Sequence, residues 1–192
     1  MRTFISLNID GATKEKVSDI QTSVIQNISL ANEKLLDSIK WESKDKFHIT
    51  LFFIGDVNKE KLKAIDNALS EIGSQLNFEE LRFRTAGINA FPNLRYPRVI
   101  ILDLINEDKN VFKLSERINR ELEKIGFSKG KQFHPHITLG RVKREKKLNL
   151  TELKNIRIPD INFLEESLFL MESKLNSKDS EYSVVKKYMF FG

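Results

Sequence analysis

Cysteine is absent from this chain of 192 residues, and histidine occurs only three times. A chain without cysteine forms no disulfide, supplies no thiolate nucleophile and offers no cysteine-ligated zinc site. Any metal site in this chain would therefore depend on histidine and oxygen ligands. The absence of cysteine also fits a reducing compartment, so we expect a cytoplasmic protein.

Long apolar runs are absent as well. No stretch approaches the roughly 20 residues that span a membrane, and the segment from Met1 to Asp10 is too short and too polar for a signal peptide. We therefore expect no membrane partner. The formal net charge of +5 and the isoelectric point near 9.3 mildly favour an anionic partner, but they do not by themselves identify RNA.

Two of the three histidines stand in the same tetrapeptide, which the chain contains twice. The residues from His48 to Leu51 read His-Ile-Thr-Leu, and those from His136 to Leu139 read the same. A Thr two places and a Leu three places after a given His arise by chance roughly once in a few hundred trials. The repetition therefore indicates a function.

Each copy lies in a segment with strand character, from Phe47 to Ile54 and from Phe133 to Val142. Side chains alternate faces along a strand, so each His shares a face with the Thr two residues later, with Cα atoms about 6 to 7 Å apart. Two such strands facing each other would form a cleft that holds two imidazoles and two hydroxyls.

This combination suits attack on a phosphodiester without a metal. Imidazole gives and takes protons near neutral pH, so one histidine can act as general base and the other as general acid. The hydroxyls of Thr50 and Thr138 can hold phosphoryl oxygens. The spacing leaves open which histidine is the base. A single His in an apolar strand is more often a core residue than a catalyst, so it is the duplication that favours catalysis.

The order of predicted elements is strand, helix, strand, helix, two strands, helix, strand and a hairpin. This order indicates an α+β fold with two mainly antiparallel sheets flanked by helices. No linker divides the chain, so we expect residues 1–192 to form a single domain. The repeated tetrapeptide suggests two lobes related by a pseudo-twofold, with the cleft between them. The 14 phenylalanines and 40% hydrophobic residues suffice for a sizeable core.

Element ends are predicted from capping and turn residues. A first helix should be capped by Thr13 and interrupted near Asn32, a second should begin after Asn58 and end at Gly73, and a third should end at Gly126. Further strands are predicted over these segments: Arg2 to Ile9, Phe78 to Ile88, Arg98 to Leu104, Phe163 to Leu175 and Tyr182 to Phe191. The last two form a hairpin around residues 176–179.

The chain resembles the 2H phosphoesterase superfamily, defined by two His-x-Thr motifs, and within it the RNA 2',3'-cyclic phosphodiesterases that are also described as 2'-5' RNA ligases. The resemblance covers nearly the whole chain. It rests on these stretches: Phe4 to Leu7, Phe47 to Gly55, Ala90 to Pro92, Pro97 to Val99, Phe133 to Arg141, Leu168 to Ser173 and Tyr182 to Val184.

The resemblance implies a bilobal fold and a metal-independent enzyme that needs no cofactor. Its substrate would be an RNA or oligonucleotide with a 2',3'-cyclic phosphate end, opened to a 2'-phosphomonoester. By motif, His48 would be the proton donor and His136 the proton acceptor, while Thr50 and Thr138 would bind the phosphate. We expect the protein to be a monomer.

Three further residues are candidate substrate contacts. Relatives often carry Arg or Lys where this chain has Phe52, and often Arg where it has His134. Phe52 shares strand parity with His48 and would line the cleft against a base or ribose, although a core position is the usual one for Phe. Arg141 has the opposite parity from Thr138, so it reaches the phosphate only if the strand twists or bulges. The basic residues around the second motif would attract a polyanion in a general way.

Three alternatives remain open from the sequence. A metallohydrolase would use His134 and His136 with His48 as ligands, although Pro135 and the matched threonines disfavour it. A non-catalytic module could bind RNA ends on the same scaffold, which two intact motifs disfavour. Within the enzyme class, the sequence does not separate hydrolysis of RNA ends, reversible 2'-5' ligation or cleavage, and action on small cyclic nucleotide phosphates.

Overall fold

The computed structural model, which describes residues 1–175 and 180–190, has strands in two antiparallel sheets and three α-helices. The strands are β1 (Arg2–Leu7), β2 (Ile39–Trp41), β3 (Ile49–Asp56), β4 (Leu81–Phe91), β5 (Val99–Ile105), β6 (His136–Val142), β7 (Asn162–Glu165), β8 (Ser167–Leu175) and β9 (Ser180–Met189). The helices are α1 (Gly11–Asn32), α2 (Lys59–Ser74) and α3 (Asn110–Lys124), and short 3-10 turns occupy Glu33–Ser38, Lys44–Lys46 and Thr151–Asn155.

The first sheet has the strand order β3-β1-β8-β9, and the second has the order β2-β6-β5-β4-β7. All strand pairs run antiparallel, which confirms the predicted α+β class. The first motif begins with His48 directly before β3, which is an edge strand of the first sheet. The second motif lies on β6, which has the short strand β2 as its neighbour on the outer side. β3 and β6 contact each other across the two sheets. The two copies of the repeated tetrapeptide therefore meet.

The helices bury apolar stripes that match the helical period. α2 and α3 pack against each other and against strands of the first sheet. On α1, Gln21 is buried and its side-chain amide donates to the carbonyls of Glu42 (2.8 Å) and Leu139 (2.7 Å), which ties this helix to β6. The buried side chains of both sheets and all three helices form one continuous cluster. None of these described helices has the length and apolar character that a membrane crossing needs.

Two predicted helix ends are corrected. Asp10, not Thr13, caps α1, because its carboxylate accepts from both the amide (2.8 Å) and the hydroxyl (2.6 Å) of Thr13. Gly73 lies inside α2 rather than after it. A Cβ there would stand 2.9 Å from the carbonyl oxygen of Met189, so the glycine permits close packing of the helix on β9. Asn58 and Gly126 have the predicted capping roles, the latter with φ of 88°.

The predicted strand from Phe163 to Leu175 is two strands that belong to different sheets. β7 pairs with β4 in the second sheet, and β8 pairs with β1 and β9 in the first. The chain therefore crosses between the sheets at Glu166, a crossing that continuous strand propensity does not reveal. The predicted turn at 176–179 lies outside the described residues.

Candidate active site

Both motif histidines are held in the same way. His48 Nδ1 lies 2.6 Å from the carbonyl oxygen of Lys46, and His136 Nδ1 lies 2.6 Å from that of His134. A carbonyl only accepts, so each Nδ1 carries a hydrogen and donates it. Each neutral ring therefore presents an unprotonated Nε2, which is the atom available for proton transfer. His48 Nε2 in turn accepts from the hydroxyl of Thr50 at 2.9 Å.

Aromatic rings enclose the two imidazoles. The ring of His48 packs against Phe4 (5.1 Å between centroids) and meets Tyr182 edge-on (5.4 Å), and that of His136 meets Phe91 edge-on (5.0 Å). Burial lowers the pKa of His48 to about 4, with a further lowering by the charges of His136 and Arg141. Burial also lowers the pKa of His136, while the carboxylate of Asp103 acts in the opposite direction.

A bulge in each motif strand reverses the alternation of side chains at the same place. On β3, Leu51 is the extra residue, since Ser6 pairs with Thr50 and Ile5 with Phe52. On β6, Leu139 is the extra residue, since Ile101 pairs with Thr138 and Ile100 with Gly140. A bulge shifts the parity of the residues that follow it by one, up to the next register shift, which on β3 occurs at Ile54. Beyond it, the residue five places after the motif histidine faces the cleft.

The bulges determine whether two of the candidate contacts, Phe52 and Arg141, reach the cleft. Phe52 does not line the cleft: it is 6% exposed, and its ring packs so closely on the loop before β6 that a Cβ at Gly130 would meet it at 2.8 Å. Phe53 takes the cleft position and is 71% exposed. At the equivalent point of β6, Arg141 reaches the cleft. The sequence predicted this contact only if the strand twists or bulges, and β6 does bulge at Leu139.

The cleft is a cavity of about 380 Å³ between the motif strands. It brings His48, Thr50, Thr138 and Arg141 together, whereas His136 stands beside it rather than in its wall. Further lining residues, which the sequence did not single out, are Arg2, Thr3, Phe4, Phe53, Gly55, Ser173, Ser180 and Tyr182. Arg2 and Arg141 bring two guanidinium groups to the cavity, where they suit a phosphate, and Arg141 Nε also donates to Glu42 Oε1 at 3.2 Å.

His134 lies on the rim of the site, where its Nε2 donates to Asp103 Oδ1 at 2.8 Å and its ring meets Phe91 edge-on. The basic residues after Arg141 form an exposed loop, with the carbonyls of Arg144 and Lys146 held by Arg98. A larger depression of about 520 Å³, lined by residues that include Glu80, Arg84 and Asp108, contains no motif residue.

A metal centre would need a group of ligands that the described residues do not form. Within residues 1–175 and 180–190, no three His, Asp or Glu side chains converge as a metal ion requires. His134 Nε2 already donates to Asp103, and the Nδ1 atoms of His48 and His136 donate to backbone carbonyls. The metallohydrolase alternative therefore lacks its ligand set in the described part of the chain.

Comparison with known proteins agrees with the geometry. The family model described as "LigT like Phosphoesterase" matches residues 19–101 and 103–178. The chain is 33% identical to an RNA 2',3'-cyclic phosphodiesterase of Archaeoglobus fulgidus over 76% of this chain and 74% of that protein. It is 30% identical to the Thermotoga maritima protein of the same name over 100% of this chain and 97% of that one.

Among solved structures, that of TT0787 of Thermus thermophilus superposes with a TM-score of 0.76 at 23% identity, covering 99% of this chain and 98% of that one. This likeness shows the shared fold. The family match, the sequence relatives and the paired motifs on facing strands lead to one conclusion: the chain belongs to the LigT-like phosphoesterase family.

Proposed function

We propose that the protein hydrolyses RNA 2',3'-cyclic phosphate ends to 2'-phosphomonoesters, with His48 and His136 as its acid and base and without a metal. The observation that carries the proposal is the matched anchoring of the two imidazoles, each held through Nδ1 with Nε2 left for chemistry. The relatives named RNA 2',3'-cyclic phosphodiesterase support the substrate class.

In the proposed reaction, His136 takes a proton from water as the water oxygen attacks phosphorus. The bond from phosphorus to the 3' oxygen breaks, and His48, which is an imidazolium in the active form, gives its Nε2 proton to that oxygen, which leaves a 2'-phosphate. The donor and acceptor roles follow the family resemblance. Thr50, Thr138 and Arg141 would hold the charged phosphoryl oxygens in line for attack.

The cleft also suits the rest of a nucleotide. Phe53 exposes its ring beside the proposed phosphate position, and a base stacked on an aromatic ring gains about 1 to 3 kcal/mol. Arg2, at the same cavity, would attract a further phosphate of an RNA chain. Reversible 2'-5' ligation or cleavage uses the same groups, with a ribose hydroxyl in place of water, and is the second candidate.

The test uses an RNA oligonucleotide that ends in a 2',3'-cyclic phosphate, incubated with the protein in EDTA. We expect a 2'-phosphate product, and the rate should fall by about 10² to 10⁴ for both His48→Ala and His136→Ala, the usual contribution of one proton-transfer group. Thr50→Val and Thr138→Val should reduce the rate less. Thermal unfolding of each variant shows whether the loss is chemical.

Three results would contradict this function. Activity that disappears in EDTA and returns with zinc would show a metalloenzyme. A 3'-phosphate product would show that the substrate lies reversed between the two motifs. Tight binding of the RNA end without turnover would identify a binding module.

A further inference from the structure

Asp103 stands out because it is a charged residue in the otherwise apolar strand β5, where it pairs in register with His136. Its carboxylate is held from two sides: Oδ1 accepts from His134 Nε2 at 2.8 Å, and Oδ2 accepts from the amide of Asn89 at 2.9 Å. The side chain is 21% exposed. Its position is therefore fixed by neighbours on β4 and at the start of β6.

The same chain of contacts reaches the second motif. His134 is bound to Asp103 through its ring, and its backbone carbonyl accepts from His136 Nδ1 at 2.6 Å. Phe91 packs edge-on against both imidazoles, at 5.5 and 5.0 Å between centroids. Asp103 thus anchors the residue whose carbonyl sets the orientation of the His136 ring.

The strongest charges that act on the first motif include no acid. His48 is anchored by the carbonyl of Lys46, and the charged groups that shift it are His136, Arg141 and Lys14, which are all basic. The groups that act on His136 are His134 and Arg141, which are basic, and Asp103, which is the acid. Among these strongest influences, a carboxylate acts on the second motif histidine and none acts on the first.

We propose that Asp103 is the positioning residue that makes His136, rather than His48, the proton acceptor of the pair. This inference rests on the proposed function. When water loses its proton to His136 Nε2 and its oxygen bonds to phosphorus, the imidazolium that forms lies in the field of Asp103. At the other motif, His48 loses a proton to the departing 3' oxygen and becomes neutral, which its basic surroundings favour.

The test compares Asp103→Asn, which keeps the shape and one acceptor oxygen but removes the charge, with Asp103→Glu, which keeps the charge and both acceptor oxygens. Asp160→Asn serves as the control, since it removes an equal charge from an exposed position outside the cleft wall. The three histidines are resolved by NMR titration of the unliganded protein, so His136 is followed directly.

In Asp103→Asn we expect the pKa of His136 to fall by about 0.5 or more, with a smaller change at His48, because the nearby negative charge is lost. kcat should fall by about tenfold with KM nearly unchanged, as for the weakening of one proton-transfer group. Asp103→Glu should recover most of both effects. His134→Arg should keep most activity, because the guanidinium still binds Asp103 and the backbone carbonyl remains.

The proposal is overturned if His136 titrates as in the wild type in Asp103→Asn, whatever happens to the rate. It is also overturned if Asp160→Asn shifts His136 equally. The titration needs no substrate, so it tests the link between Asp103 and His136 even if the wild-type protein fails to hydrolyse the cyclic phosphate, a failure that would count against the proposed function alone.

Discussion

Each motif histidine uses one ring nitrogen for its own placement and leaves the other for the proton transfer that we propose. The carbonyls of Lys46 and His134 accept the Nδ1 hydrogens at 2.6 Å, so the rings do not need a partner at Nε2 to be ordered. Enclosure by Phe4 and Phe91 removes water from the rings and disfavours the charged imidazolium. Both histidines are therefore neutral in the unliganded protein at neutral pH.

This state predicts the pH dependence of the reaction. The active form carries one proton on the pair, so kcat/KM follows a bell-shaped curve between the two pKa values of the unliganded protein. The pKa of His48 is about 4 and that of His136 is below its usual 6.5. Since both shifts are downward, we expect the maximum of kcat/KM below pH 6.5.

The profile of kcat should lie at higher pH, because the negative phosphate of the bound substrate stabilises both imidazolium forms. Steady-state rates from pH 4 to 9 separate the two profiles. A maximum of kcat/KM above pH 7 would contradict the electrostatic picture of the site. The bell shape alone does not say which histidine holds the proton, which is why the Asp103 variants are needed.

At the scale of elements, the two bulges determine what the strands present. β3 and β6 each bulge at the Leu of the motif, and Gln21 of α1 donates to the carbonyl of Leu139 at the second bulge. Residues before the bulge follow simple alternation, and the residues directly after it follow the opposite parity, which on β3 lasts until a second register shift at Ile54. Adjacent phenylalanines on β3 are thereby divided between the core and the cleft.

Alanine substitutions at Phe52 and Phe53 form a matched pair. Phe52→Ala should lower the free energy of unfolding by about 3 to 5 kcal/mol, the usual cost of removing a buried ring. Phe53→Ala should change it by less than about 0.5 kcal/mol, because the ring is mostly exposed. It should instead raise KM for the RNA substrate by about fivefold, from the loss of stacking.

Urea unfolding and steady-state kinetics on both variants test whether Phe52 is a core residue and Phe53 a cleft residue. If Phe53→Ala unfolds as easily as Phe52→Ala, or if KM rises for Phe52→Ala alone, the assignment of core and cleft is wrong.

The same elements show what the sequence can and cannot predict. Periodicity located all three helices and the motif strands, and the repeat located the paired histidines and threonines. A bulge depends on pairing with strands far away in the sequence, so the cleft position of Phe53 was not predictable by alternation. The crossing between sheets at Glu166 was missed for the same reason. Asp103 did leave a signal, as a lone charge in an apolar strand.

At the scale of the whole molecule, Glu165 lies where the chain passes from the second sheet to the first. It ends β7, is 6% exposed, and its Oε1 atom has no hydrogen-bond partner within the described residues. Burial, and then the charge of Asp10, raise the pKa of Glu165 to about 8. Glu165 is therefore protonated in the folded protein at neutral pH.

Because Glu165 is buried and protonated, we expect the free energy of unfolding to fall in mild base. The unfolded chain releases the proton near pH 4.5, whereas the folded protein keeps it to about pH 8, so this group costs more stability as the pH rises between these values. Between pH 6.5 and 8.5 the wild type should lose roughly 2 kcal/mol more than Glu165→Gln, since one pKa unit corresponds to 1.36 kcal/mol.

Urea unfolding of both proteins at pH 6.5 and 8.5 gives the comparison. The window lies above the pKa values of His48 and His136 in the folded protein, which limits their contribution. Equal changes in the two proteins would mean that Glu165 reaches water or a partner and titrates normally.

The matched bulges also give different constraints on substitution at the fourth and the fifth residue after each motif histidine. After each motif histidine, the fourth residue is Phe52 or Gly140 and is buried, while the fifth is Phe53 or Arg141 and lines the cleft. If the proposed function holds, a substitution at the fifth position would alter which nucleotide is preferred without disturbing the packing of the lobes. In a chain that keeps both bulges, those two sites are where natural variants would acquire new specificities at least expense to folding.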